Sequence, residues 1–291
     1  MYKKHWNLKY KPFINTPDPR YLYFSSNHEE ALIRLFYVAN EQNGALLLTG
    51  GVGCGKTLIS RVFINELNPK RFDVALITHP NLSAAEFIKE ILYQLGIETD
   101  LTAKVDLIHL LNEKIFEASR QGRHTIIIID EAQLICDPLT MEEIRLLLNF
   151  QQNDCFYITL ILMGQPELAK HVAQIPQLVQ RLGIKFHIGP LDEGATKEYI
   201  EHRMALAGNK EAVFSVDACK LIYQASAGIP RQINTICDMA LLVGFGQKFL
   251  SISADIIQQV IHDVNQYNNM TTSENKTDDK FSQYKNRRGT S

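Results

Sequence analysis

Residues 45–57 read ALLLTGGVGCGKT, and no other stretch limits the fold so tightly. ALLLT has the length and character of a short buried strand, and it breaks into glycines where a chain must turn sharply. Beyond the turn, TLISRVFINEL sets Leu58, Ile59, Val62, Phe63 and Leu67 on one helical stripe. The eight residues between, Gly50, Gly51, Val52, Gly53, Cys54, Gly55, Lys56 and Thr57, fit the pattern G-x-x-x-x-G-K-[ST]. Glycines at this spacing let successive backbone N–H groups turn inward as an anion nest, and the following helix presents its positive end. Lys56 is expected to reach the β- and γ-phosphates of ATP and the Thr57 hydroxyl to ligate Mg²⁺, with Leu58 closing the nucleotide-binding segment. A chance glycine-rich turn would not need a strand before it and a helix after it.

A second stretch, TIIIIDEAQ at 125–133, runs four isoleucines into two adjacent carboxylates. The run suits a strand buried on both faces, where an ionised side chain is costly unless something pairs with it. Downstream of a phosphate loop, Asp130 is expected to hold the Mg²⁺, and Glu131 to orient and deprotonate the water that attacks the γ-phosphate. The competing role for Glu131 is a surface carboxylate capping the next helix.

Further strands are expected at 72–78, 157–164 and 184–188, with helices at 84–95, 104–119 and near 139–150. Strands alternating with helices imply an α/β fold with a parallel sheet covered on both faces. The strand at 72–78 further implies that another strand separates the phosphate-loop strand from the Asp130 strand. After Leu191 only helical patterns remain, at 196–206, 216–226, 230–243 and 254–265, which describes a small all-helical lid. The expected division is 1–191 for the nucleotide-binding core, 192–267 for the lid and 268–291 for a polar tail without enough apolar surface to order.

The net charge of −2 gives no global bias towards nucleic acid or anionic membrane. The five cysteines, Cys54, Cys136, Cys155, Cys219 and Cys237, form no C-x-x-C pair, which points away from a disulfide framework or zinc site. MYKKHWNLKYKPF lacks the apolar segment of a signal peptide, and no run of about eighteen apolar residues could span a bilayer. The expected location is cytoplasmic, peripheral to the inner membrane only through partners. Cys54, beside a helix N-terminus that would lower a thiol's pKa, raises the prospect of a redox switch.

Two arginines complete the constellation: Arg181 in LVQRLGIKFHI and Arg231 in GIPRQIN. They resemble the arginine finger and the sensor 2 arginine of AAA+ ATPases, whose role is to neutralise charge on the γ-phosphate. That resemblance implies that Arg181 acts on a neighbouring subunit's nucleotide, hence a homo-oligomer, and that Arg231 acts within its own chain. A surface ion pair is the alternative for each. Gln165 in MGQPEL stands where a sensor 1 residue would contact the γ-phosphate, and it also reads as a turn residue before Pro166; Gln133 in DEAQ is a further polar candidate.

Taken in order, KPFINTPDPRYLYFSSNHEEAL, GGVGCGKT, IIIIDEAQ, MGQPEL and GIPRQIN resemble the ExeA (general secretion pathway protein A) family of AAA+ ATPases over roughly residues 1–265. The resemblance implies that the segment before the phosphate loop lies near the adenine, with His28 at the base or simply starting a helix. The family's best-known members continue into a membrane-spanning helix and a peptidoglycan-binding domain, so a short form lacking both is expected here. Three functions compete. The first is an oligomeric, Mg²⁺-dependent ATPase serving protein partners of a secretion or envelope-assembly system. The second is an ATP-switched DNA-binding filament protein of the transposition-regulator type, and the third is a nucleotide-binding scaffold. Basic clusters at Lys3, Lys4, Lys9 and Lys11 and at Lys285, Arg287 and Arg288 offer DNA only the two ends of the chain, and the Asp130–Glu131 pair favours hydrolysis over the scaffold.

Overall fold

Ile126 and Ile128 enter one apolar cluster and Ile127 and Ile129 another, so the isoleucine run is a strand with both faces covered. The computed structural model describes residues 1–152 and 155–264. The tail expected to be disordered from Asn268, with Lys285, Arg287 and Arg288, lies outside the described residues. The described chain forms two compact units, Thr16–Pro190 and a second made of Met1–Asn15 with the described residues from Leu191.

The first unit is a five-stranded sheet. Its strands are β1 (Ala45–Gly50), β2 (Phe72–Ile77), β3 (His124–Ile129), β6 (Ile158–Gly164) and β7 (Leu182–Ile188). They lie in the order β2-β3-β6-β1-β7, and every neighbouring pair is parallel. β4 (Gln151–Gln152) and β5 (Cys155–Phe156) form a separate two-stranded antiparallel pair. The strand that separates β1 from β3 is therefore β6, while β2 lies at the sheet's edge.

Each interior strand divides its side chains between the two faces with a period of two. Leu46, Leu48, Ile161 and Met163 join Ile126 and Ile128, with Leu35 and Val38 of α1 (Ser26–Asn40) and Ile59 and Phe63 of α2 (Lys56–Glu66) packed over them. On the other face, Leu47, Leu160 and Leu162 lie with Ile127 and Ile129. That face is covered by α3 (Ala84–Gln94), α4 (Lys104–Arg120), α5 (Pro138–Leu147), α6 (Pro166–Ala173) and α7 (Pro176–Arg181). A parallel sheet wrapped in this way leaves the carboxyl ends of its strands as the place for a ligand.

The second unit contains α8 (Glu193–Leu206), α9 (Val216–Ser226), α10 (Pro230–Gly246) and helical residues 254–264. Asp192 and Ser215 cap α8 and α9 through their side-chain oxygens, as short polar residues do at helix starts. Residues 1–15, grouped with the nucleotide-binding core in the expected division, pack instead with these helices. Trp6 is buried and its indole Nε1 donates to the Leu241 carbonyl at 2.9 Å. Gly244 makes room for the ring, since a Cβ there would fall 2.8 Å from Trp6 Cζ2. The buried Arg203 guanidinium donates to the carbonyls of Pro12 at 2.5 Å and Ile14 at 2.9 Å, and to the Tyr199 hydroxyl at 3.2 Å. Among the described residues no helix is long and apolar enough to cross a membrane.

Candidate functional site: a phosphate loop and its carboxylates

The chain leaves β1 at Gly50 and enters α2 at Lys56 through a turn that two glycines make passable, Gly53 at φ 83° and Gly55 at φ 94°. Gly50 must also lack a side chain, because a Cβ there would lie 2.9 Å from the Ile188 carbonyl oxygen. Gly55 is the residue before α2 and supplies no side-chain cap, so the first N–H groups of the helix stay open to an anion. Lys56 is only 5% exposed, and its ammonium donates back to the carbonyls of Gly50 at 2.8 Å and Gly51 at 3.2 Å. The charge thus sits folded over the loop whose ligand it is expected to hold.

Thr57 Oγ1 donates to Asp130 Oδ2 at 2.7 Å, which joins the start of α2 to the end of β3 across 73 residues of sequence. Asp130 is 3% exposed, and its other oxygen, Oδ1, accepts from the Glu131 N–H at 2.9 Å. A hydroxyl and a carboxylate oxygen side by side are hard donors that suit Mg²⁺, which takes one or two protein oxygens and completes its shell from phosphate and water. The sequence expectation that Thr57 and Asp130 form one site is therefore consistent with the geometry.

Glu131 adopts the left-handed conformation, φ 51° and ψ 36°, uncommon for a residue with a Cβ. Its carboxylate Oε2 accepts from the Gln133 side-chain amide at 2.5 Å, and Gln133 Oε1 in turn accepts from the Gln165 main-chain N–H at 3.0 Å. Gln165 reaches the site through its backbone, at the start of α6, and its side chain makes no capping bond. The Gln133 bridge is the part of the site that sequence reasoning left unassigned. Its only signals were a glutamine two residues after the glutamate and a glycine, Gly164, directly before Gln165.

Of the two expectations for His28, a place at the adenine base or at the start of a helix, the structure shows the second, in the first turn of α1. The His28 ring is buried under the phosphate loop, with Nε2 3.0 Å from the Cys54 carbonyl and Nδ1 2.6 Å from Ser25 Oγ. A Cβ on Gly55 would come 3.0 Å from the same Nε2, so histidine and glycine are fitted to each other. Burial lowers the ring's pKa, against the smaller opposing effect of the Cys54 carbonyl, which favours a neutral prop for the loop. Cys54 differs from expectation. Its thiol is 3% exposed, and burial pushes its pKa up despite the neighbouring Lys56, so the helix N-terminus does not make it a ready thiolate.

Arg181 is not gathered around this loop in the way the carboxylates are. Arg181 ends α7, just before β7, and register pairs Leu182 with Ala45 but Ile188 with Gly50. It therefore stands at the far end of the strand from the phosphate loop, roughly 20 Å away at about 3.3 Å per residue. Its guanidinium donates to the Leu148 carbonyl. Arg231 is exposed on the first turn of α10, in the helical unit.

A family described as AAA domain matches residues 39–172. General secretion pathway protein A of Aeromonas hydrophila is 34% identical over 251 residues, covering 85% of this chain and 45% of that protein. The chain thus spans less than half the length of that relative. Among solved structures, the Aeropyrum pernix ORC2 protein in ADPNP and ADP complexes superposes with a TM-score of 0.63 at 17% identity, over 81% of this chain and 67% of that one. The Thermotoga maritima RuvB Holliday junction branch migration motor superposes with a TM-score of 0.58 at 19% identity, over 83% and 70%. At these identities the two structures establish the shared fold.

Proposed function

We propose that the chain is an AAA ATPase of the kind found in general secretion pathway protein A, and that it binds ATP with Mg²⁺ and hydrolyses it, as an oligomer, to drive or regulate a secretion or cell-envelope assembly system. The observation that carries the reading is the Thr57–Asp130 hydrogen bond, set behind an uncapped helix N-terminus with Glu131 next in the chain. The nest of Gly50 to Gly55 and the first N–H groups of α2 hold the phosphates. Lys56 exchanges the carbonyls of Gly50 and Gly51 for the β- and γ-phosphate oxygens. Thr57 and Asp130 would hold the Mg²⁺, which neutralises charge on those same oxygens.

Glu131 accepts the proton of the attacking water as its oxygen bonds to the γ-phosphorus and the bridging oxygen leaves with ADP. Arg181 completes a neighbour's site, in keeping with its distance from its own loop, and Arg231 of the helical unit stabilises the departing phosphoryl group within its own chain. Gln165 meets the γ-phosphate from the end of β6. His28 serves by fixing the Cys54 carbonyl beneath the loop. The secretion assignment rests on the relative alone.

The Glu131→Gln protein tests both parts. It should bind ATP as the wild type does and hydrolyse it about 10²–10⁴-fold more slowly, the usual worth of a positioned base. Turnover near the wild-type rate would remove Glu131 from that role. Held in its ATP state, the same protein should not bind duplex DNA; ATP-dependent binding that weakens steeply with salt would replace the secretion reading with a DNA switch.

A further inference from the structure

The geometry points to Gln133 as the positioning residue that aims the Glu131 carboxylate, an inference that rests on Glu131 acting as the base. One side-chain amide spans two partners: Nε2 donates to Glu131 Oε2 at 2.5 Å and Oε1 accepts from the Gln165 N–H at 3.0 Å. A carboxylate only accepts and a main-chain N–H only donates, so these two partners admit a single orientation of the amide. Glutamine is the residue this bridge needs. Glutamate would set two carboxylates against each other, and leucine or methionine would offer neither bond.

The surroundings are shaped to the same amide. A Cβ on Gly164 would come 2.4 Å from Gln133 Oε1 and 2.8 Å from Leu168 Cδ2, closer than real contacts allow. Gly164 ends β6, the strand between β1 and β3. The bridge therefore runs from the end of the Asp130 strand to the end of the strand beside the phosphate loop. It ties the carboxylate to the end of β6, the strand that neighbours the phosphate-loop strand β1.

The backbone of Glu131 is already set by its own N–H bond to Asp130 Oδ1 and by its left-handed conformation. What remains to be set is the side chain, a long one with several rotamers to lose. Among the described residues Gln133 is the one hydrogen-bond donor to that carboxylate, and it engages only Oε2. Oε1 is left to take the proton of a water. Because the acceptor end of the amide is tied to Gln165, the aim of the base is also tied to the segment that meets the γ-phosphate.

The test is kinetic. Gln133→Met keeps the length and removes both bonds. It should lower kcat for ATP hydrolysis by about 10–100-fold, the loss expected when a reacting group is misplaced by an ångström or so, with KM and ATP affinity within about threefold. In the Glu131→Gln background the same change should cost nothing further, because there is no base left to aim. Gly164→Ala, which crowds the amide and alters neither side chain, should reproduce the kcat loss and serves if Gln133→Met folds poorly. The inference is overturned by kcat within threefold of wild type, by an equal loss of ATP affinity, or by a loss that persists undiminished in the Glu131→Gln protein. Normal turnover in Glu131→Gln itself would instead overturn the base assignment, so the two failures are distinct.

Discussion

The phosphate loop and the amino-terminal residues are ordered by opposite means. Lys56 bonds to carbonyls five and six residues away, and Cys54 N–H bonds to Gly51. Trp6, by contrast, bonds to a carbonyl 235 residues on, Arg203 reaches back 191 residues to Pro12, and Asn209 reaches 203 residues to the Trp6 carbonyl. A loop built from near neighbours has a shape its own glycines dictate, and it appears in the sequence as a motif. A strap built from distant contacts takes shape only once the helices it lies against are assembled. Local order goes with chemistry here, and long-range order with holding a unit together.

The largest expected effect would break that division. Arg181 lies in the α/β unit and Arg231 in the helical one, yet both are proposed to serve the same γ-phosphate. Arg181→Ala and Arg231→Ala should each slow turnover by about 10³-fold or more, the scale of an arginine finger. Mixing the two proteins should restore activity. A subunit that keeps Arg231 can then receive Arg181 from a neighbour that lacks only Arg231. Verified mixed oligomers with no recovery would count against a role for Arg181 between subunits, and turnover unchanged in Arg231→Ala would leave the helical unit with structure alone.

An intermediate effect would sharpen the comparison. Arg203→Met leaves the Pro12 and Ile14 carbonyls without the donor they have now, inside a buried site. The loss should be about 2–4 kcal/mol, the range for stripping a partner from buried polar groups. Hydrogen exchange should rise across residues 1–15 and the helices they touch, while ATP affinity stays within about twofold. Unchanged protection of residues 1–15 would show that Trp6 and its apolar neighbours hold the strap without the arginine.

The same contrast explains what could be read in advance. The two-sided burial of β1, β3 and β6 writes itself as unbroken apolar runs, so ALLLT and YITLILMG fell within a residue of the observed strands, and the isoleucine run ends with β3, which begins two residues before it at His124. β7 alternates between buried and exposed positions at the sheet edge, and its start at Leu182 lay two residues ahead of the expected one. α6 and α7, of 8 and 6 residues, are too short for a helical period to show, and each is announced only by a proline. Thr57, Asp130 and Glu131 could be proposed from the sequence because their chemistry fixes their spacing relative to a strand and a loop. The contacts of Gln133 and His28 could not, since a glutamine bridging a carboxylate and a histidine beneath a loop are defined by what they touch. The strap of residues 1–15 was assigned to the neighbouring part because its partners lie near the other end of the described chain.

The smallest effect is expected at Cys54, where both influences are present and can be weighed. The start of α2 and the nearby Lys56 favour a thiolate, but the thiol is enclosed at 3% exposure, and burial outweighs them. Iodoacetamide should therefore modify the exposed Cys136 well before Cys54 at neutral pH. Cys54→Ala removes one sulfur from beside Gly51 and should leave ATP turnover within about twofold, with a stability cost near 1 kcal/mol for the small cavity. Rapid oxidative inactivation of the wild type that Cys54→Ala escapes would mean that the loop opens far enough to expose the sulfur. The near-neighbour bonds of Lys56 and Cys54 would then be weaker than the long-range bonds of the strap, and the order of rigidity drawn between the two regions would reverse.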